Sequence, residues 1–268
     1  MRFNATRGLL YFESLTSPML ALATIDSLPD ISLPSLLILM ATSLIGGFAN
    51  ALAGGGTFLV FPALLFAGLD SIVANATAAS VMMPGGVASM LVYRQGSSYE
   101  PKLLRALMIS SILGGITGSV LVLLTPSQRF STLVPYLMLS AALVFTFSEQ
   151  IARAAAAHIS DNVRWMPLLI GQYFISVYGG YFGAGMGVLM IVLFFLTANM
   201  NVQQSAALRF YCTMGINGFA ILVFGLRGVI LWKLSLPMAL AAVTGGYFGA
   251  KLVKRLSVKA ARNAVLIY

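Results

Sequence analysis

"YGGYFGAGMGVLM", residues 178–190, puts five glycines within ten positions of an otherwise apolar run. Glycine inside a helix costs about 1 kcal/mol relative to alanine. So many at one place mark a helix that is interrupted there. A second cluster, "AGGGT" at 53–57, interrupts another apolar run. The apolar runs that follow, 57–69 and 188–198, are short, reaching about 17–20 Å at 1.5 Å per residue.

The rest of the chain explains where such breaks sit. Of its 268 residues, 59% are hydrophobic and 9% charged, and the mean hydropathy is +0.92. A soluble domain carries about 25% charged residues. The composition reads as an all-α polytopic membrane protein, in the lipid bilayer as its first partner. Besides the two short runs, apolar stretches lie at 34–53, 74–93, 103–124, 133–148, 166–182, 206–226 and 234–253. That gives about eight or nine membrane segments.

The net charge of +9 does not indicate nucleic acid, because the basic residues form short clusters between apolar runs. One cysteine (Cys212), one histidine (His158) and seven Asp and Glu leave no set of metal ligands or catalytic carboxylates. No Walker loop occurs. The reading is a non-enzyme with no metal, no cofactor and no catalytic residues.

Shifting the sequence by 131 residues superposes landmarks. Gly54 and Gly56 fall on Gly185 and Gly187, Lys102-Leu103 on Lys233-Leu234, and "GGITG" at 114–118 on "GGYFG" at 245–249. The expected organisation is an N-terminal extension (1–32), a first membrane repeat (33–148), a cytoplasmic linker (149–165) and a second repeat (166–268) whose last helix is incomplete. The extension is read as a surface segment or an upstream mis-start. Five segments per unit would invert the second unit relative to the first. Ten basic residues then lie on the cytoplasmic side, among them Arg94, Lys102, Arg105, Arg153, Arg164 and those of the tail after Lys251. Five lie outside: Arg2, Arg7, Arg129, Arg227 and Lys233. This agrees with the positive-inside rule.

Non-helical backbone at membrane depth must be buried in protein or line a wet cavity. Where a broken helix restarts, its N–H groups and dipole attract anions, and glycine admits them closely. The candidate site therefore includes Gly54, Gly55 and Gly56 at the first break and Gly183, Gly185 and Gly187 at the second. The alternative for any of these glycines is close helix packing. It is the preferred reading for Gly46-Gly47, Gly114-Gly115 and Gly245-Gly246.

Polar side chains within the spans complete the candidate set. Asn50 and Thr57 flank the first break and Tyr178 precedes the second. Asn75, Thr77 and Ser80 open the third segment, where helix capping is the alternative role. Asn217, with a helix–helix hydrogen bond as its alternative, shares its segment with Tyr211. Arg209 is the one basic residue inside a span. It either snorkels to the interface or pairs with an anionic substrate through its planar guanidinium. No Asp or Glu lies in a span; Asp70 and Glu149 are at span ends.

"AGGGTFLVFPALLFAGLDSIVANATAASVMMPG" (53–85), "YGGYFGAGMGVLMIVLFF" (178–195) and "GLRGVILWKLSLPMALAAVTGGYFGAKLVKRL" (225–256) resemble the TauE/SafE sulfite-exporter family of membrane permeases. The glycine triplet, Phe-Pro, Ala-Asn-Ala-Thr run and Pro-Gly occur in the family's order. Ala78 and Ala79 depart from it, where further polar residues are common. The resemblance implies secondary transport of small anions such as sulfite, sulfonates or related organic anions, commonly outward, across a bacterial inner membrane. A non-transporting scaffold subunit and an importer of the same fold are the rival readings.

Overall fold

Nine helices make up the described part of a computed structural model, which covers residues 31–93, 99–147, 150, 163–198, 200 and 202–255. They are α1 (Leu33–Ala53), α2 (Thr57–Phe66), α3 (Ser71–Tyr93), α4 (Pro101–Leu124), α5 (Ser127–Thr146), α6 (Trp165–Tyr181), α7 (Met186–Ala198), α8 (Val202–Leu226) and α9 (Trp232–Arg255). No strand occurs among the described residues. The N-terminal extension up to residue 30, most of the linker and the tail after Arg255 lie outside them.

Local chemistry sets the helix ends. The Ser32 hydroxyl accepts from the Ser35 amide at the start of α1, and Pro34 sits in that helix's first turn. Gly54, at φ 81°, ends α1 in the left-handed conformation and returns its amide to the Asn50 carbonyl. α3 starts at Ser71, three residues before the apolar run. Asp70 caps it by accepting from the Ile72 amide at 2.9 Å. Asn75 and Thr77 are therefore inside the helix and do not cap it.

Four helices, α1, α3, α4 and α8, have the length and apolarity to cross a membrane. The 10-residue α2 and the 13-residue α7 are apolar but short. Large apolar side chains face outward on the long helices, such as Leu37, Ile109, Phe174 and Leu240. Small and polar ones, such as Ser43, Ser89, Ser111 and Gln172, are buried. This distribution suits a chain whose solvent is lipid, where helices associate through close packing and hydrogen bonds. The chain is an all-helical, multi-pass membrane protein.

At the offset of 131, Ser71 falls on Val202, the first residue of α8, and Pro101–Leu124 falls on Trp232–Arg255, the whole of α9. The helix contacts follow the same offset. The most extensive are α1 on α9 and α4 on α6, followed by α3 on α9 and α4 on α8. Members of each pair exchange under the shift. α3 and α8, which also exchange, pack on each other between them.

Glycine permits these approaches. A Cβ on Gly115 would lie 2.8 Å from the Ile216 backbone, and one on Gly246 would collide with the Gly85 carbonyl. These two contacts are themselves related by the offset. Gly47, Gly114 and Gly245 are equally tight against backbone of Ala242, Tyr173 and Leu44. The double glycines outside the breaks are thus packing residues.

Candidate functional site

The two glycine breaks meet. Gly54, just past the end of α1, and Gly187, the second residue of α7, approach so closely that a Cβ on either would lie 3.1–3.2 Å from the other's Cα. The Arg209 guanidinium fills the space beside them, with Nη1 at 2.5 Å from a Cβ built on Gly54 and 3.0 Å from one on Gly187.

Arg209 does not snorkel. α8 begins seven residues before it, two turns away, and the side chain is 1% exposed. Nη2 donates to the carbonyls of Asn50 (3.1 Å) and Ala51 (3.2 Å) in the last turn of α1. The guanidinium shares both acceptors. The Asn50 carbonyl also accepts from the Gly54 amide, the last bond of α1 before Gly54 stops the helix. The Ala51 carbonyl, left without an i+4 amide, also accepts from the Tyr93 hydroxyl. Nε and Nη1 find no acceptor among the described residues. The Phe210 ring lies 4.6 Å from Cζ, and Tyr93 stacks on Phe210. The cation therefore sits between the negative end of α1, which it neutralises, and the positive end of α7, which it does not.

A cavity of about 20 Å³ opens at this point, reached by Asn50, Gly54, Thr57, Gly187, Arg209 and Asn217. A second, also about 20 Å³, adjoins it and is reached by Asn75, Phe182 and Phe224. Thr57, Gly183, Met186 and Asn217 border both. About 10–15 Å³ holds one water, so neither cavity admits a four-atom oxyanion in this state.

The other candidates stand elsewhere. Gly55 borders neither cavity. Gly56 is a packing residue: its Cβ would collide with the Gly46 carbonyl and lie 2.7 Å from the Met82 sulfur. Gly185, at φ 76°, turns toward Ala141 of α5 and Phe58. The Tyr178 hydroxyl donates to the Ala184 carbonyl at 2.6 Å and so ties the second break to α6. Thr77 accepts from the Leu231 amide (3.2 Å), holding the turn before α9. Ser80 bonds Ser235, and Tyr211 packs on Tyr99.

Asn75 has a counterpart role. It donates to the Tyr181 carbonyl at 3.0 Å, in the last residue of α6. Tyr181 falls on Asn50 at the offset of 131, so a donor from the opposite half reaches the equivalent carbonyl at each break. One donor is a neutral amide on α3; the other is a guanidinium one turn further along α8.

Thr213, Met82, Met186 and Phe210 also reach the first cavity, and the residue pattern does not single them out. Thr213 has a signal in hindsight, since Arg209, Thr213 and Asn217 recur every four residues and share one face of α8. The other three carry no polar signal.

The sequence matches the family Sulfite exporter TauE/SafE over residues 39–268. It is 27% identical over 241 residues to a probable membrane transporter protein of Haemophilus influenzae, covering 89% of this chain and 92% of that one. It is 26% identical to the probable membrane transporter protein YfcA of Escherichia coli, covering 91% and 90%, and 24% identical to the probable membrane transporter protein ORF9 of a Sinorhizobium species, covering 89% and 90%. With the glycine breaks, the buried arginine between them and this match along most of its length, the chain belongs to the TauE/SafE family of membrane permeases.

Proposed function

We propose that this permease exports small oxyanions, sulfite, sulfonates or related organic anions, by secondary transport across a bacterial inner membrane. The observation that carries the reading is Arg209: a guanidinium 1% exposed, with Nε and Nη1 unpartnered, at the cavity where the two breaks meet. A buried cation with unused donors beside a helix N-terminus attracts an anion. The matched family's name, sulfite exporter, agrees with an oxyanion cargo; the relatives' names specify none.

In this proposal the units 33–148 and 166–268 are inverted relative to each other about the linker 149–165, and the breaks lie near mid-membrane. The small cavities then belong to a closed state, and transport proceeds through states in which the breaks separate. Purified protein in proteoliposomes, offered sulfite, methanesulfonate, other sulfonates and carboxylates in parallel, tests the reading. Uptake above protein-free vesicles for at least one oxyanion, reduced at least tenfold by Arg209→Gln, is the expected result. Equal leakage with and without protein for the whole panel defeats it and favours a scaffold.

A further inference from the structure

We infer that Arg209 selects two-oxygen anions over halides, because only such an anion can take Nη2 from the α1 carbonyls and so release the clamp between α8 and α1. The inference rests on the anion-permease reading above and adds how the site chooses and responds to its cargo.

The argument is geometric. A guanidinium has two edges for bidentate pairing, Nε with Nη2 and Nη1 with Nη2. Nη2 belongs to both. Here it donates to Asn50 and Ala51, so neither edge is open while the clamp holds. What remains, Nε and Nη1, points to different sides of the group and offers single-point contacts only. A halide binds there without disturbing α1. A sulfonate or carboxylate reaches its full pairing only by displacing the carbonyls, and α1 must then draw back from the anion.

The clamp is built to open. When Nη2 leaves, the Asn50 carbonyl keeps the Gly54 amide at 3.0 Å, and the Ala51 carbonyl keeps the Tyr93 hydroxyl at 3.2 Å. Neither acceptor is orphaned, which removes the usual cost of unpairing a buried carbonyl. Tyr93 is thus a positioning residue: it touches the carbonyl and leaves the anion to Arg209.

The test measures methanesulfonate and chloride flux in proteoliposomes at matched potential, for the wild type, Arg209→Lys and Tyr93→Phe. Wild type should carry methanesulfonate at least tenfold faster than chloride. Arg209→Lys, with no bidentate edge, should bring the ratio near one. Tyr93→Phe leaves Ala51 without its second donor once the clamp opens, so its KM for methanesulfonate should rise at least threefold while its KM for chloride stays within error. If methanesulfonate is carried but Tyr93→Phe shifts both anions alike, or Arg209→Lys keeps the wild-type ratio, the clamp is refuted and the permease reading stands. If no anion is carried, both fall. A poorly folded Arg209→Lys leaves the Tyr93→Phe comparison to decide.

Discussion

Gly54 and Gly187 stand against each other at the junction of the two breaks, and Arg209 Nη1 takes the space that a side chain on either would need. The two are not equivalent. Gly54 has φ 81°, a region that L residues enter at about 1–2 kcal/mol, whereas φ at Gly187 is not positive.

Gly54→Ala should therefore both strain the end of α1 and push the guanidinium away. Gly187→Ala should only crowd Nη1. We expect oxyanion flux to fall more than tenfold for Gly54→Ala and several-fold for Gly187→Ala, with the Gly187 variant keeping a near-wild-type melting temperature in detergent. Gly86→Ala is the control, since its Cβ would meet nothing closer than 3.9 Å. A Gly54→Ala protein that transports normally would show that the backbone there is not part of the path.

Asn75 and Thr77 lie close in sequence but should fail differently. Asn75 reaches the end of α6 beside the second cavity; Thr77 holds the Leu231 amide, away from both. Losing a buried hydrogen-bond partner costs about 1–3 kcal/mol, so Asn75→Ala and Thr77→Val should both lower the melting temperature. Only Asn75→Ala should also change KM for an oxyanion. Equal KM effects would place Thr77 in the path after all.

How much of the molecule is legible in its sequence differs by feature. The helices are legible because the segments are long, apolar and punctuated by glycine: α4 and α9 match the apolar runs at 103–124 and 234–253 to within two residues. The start of α3 is not, because "DSIV" at 70–73 reads as a loop until Asp70 is seen capping it. Within the breaks the letters alone do not separate roles. Gly54 and Gly56 look alike, yet one meets Arg209 and the other meets the Gly46 carbonyl. That difference depends on which helix lies opposite, and opposite Gly54 means α7 and α8, more than 120 residues away. The Arg209–Asn50 bond is equally non-local, so the pattern shows a buried charge and not its partner.

The proposed orientation has a direct check. Cysteines at Glu100 and Arg227, both exposed, in a Cys212→Ala background should label differently with an impermeant thiol reagent on intact cells. The basic-residue distribution puts Glu100 inside and Arg227 outside, so Arg227→Cys alone should react. Reaction of both, or of Glu100→Cys alone, contradicts the inverted arrangement as drawn.

The last expectation concerns energy. None of the nine helices contains an Asp or Glu among the described residues; Asp70 and Glu100 stand just before α3 and α4. Proton-coupled carriers commonly use a membrane carboxylate or histidine, and Arg209 stays charged as a guanidinium. Efflux driven by the membrane potential needs neither. Moving one negative charge outward across ~100 mV, interior negative, releases about 2.3 kcal/mol, about a fifty-fold concentration ratio. That sign favours exit for any anion and opposes entry, in agreement with export. In proteoliposomes with the potential clamped by potassium and valinomycin, the flux of methanesulfonate, which stays ionised across the working range, should follow the potential and ignore an imposed pH gradient. Uphill flux driven by the pH gradient at zero potential would refute potential-driven uniport and require a proton carrier among the tyrosines and other polar groups of the spans.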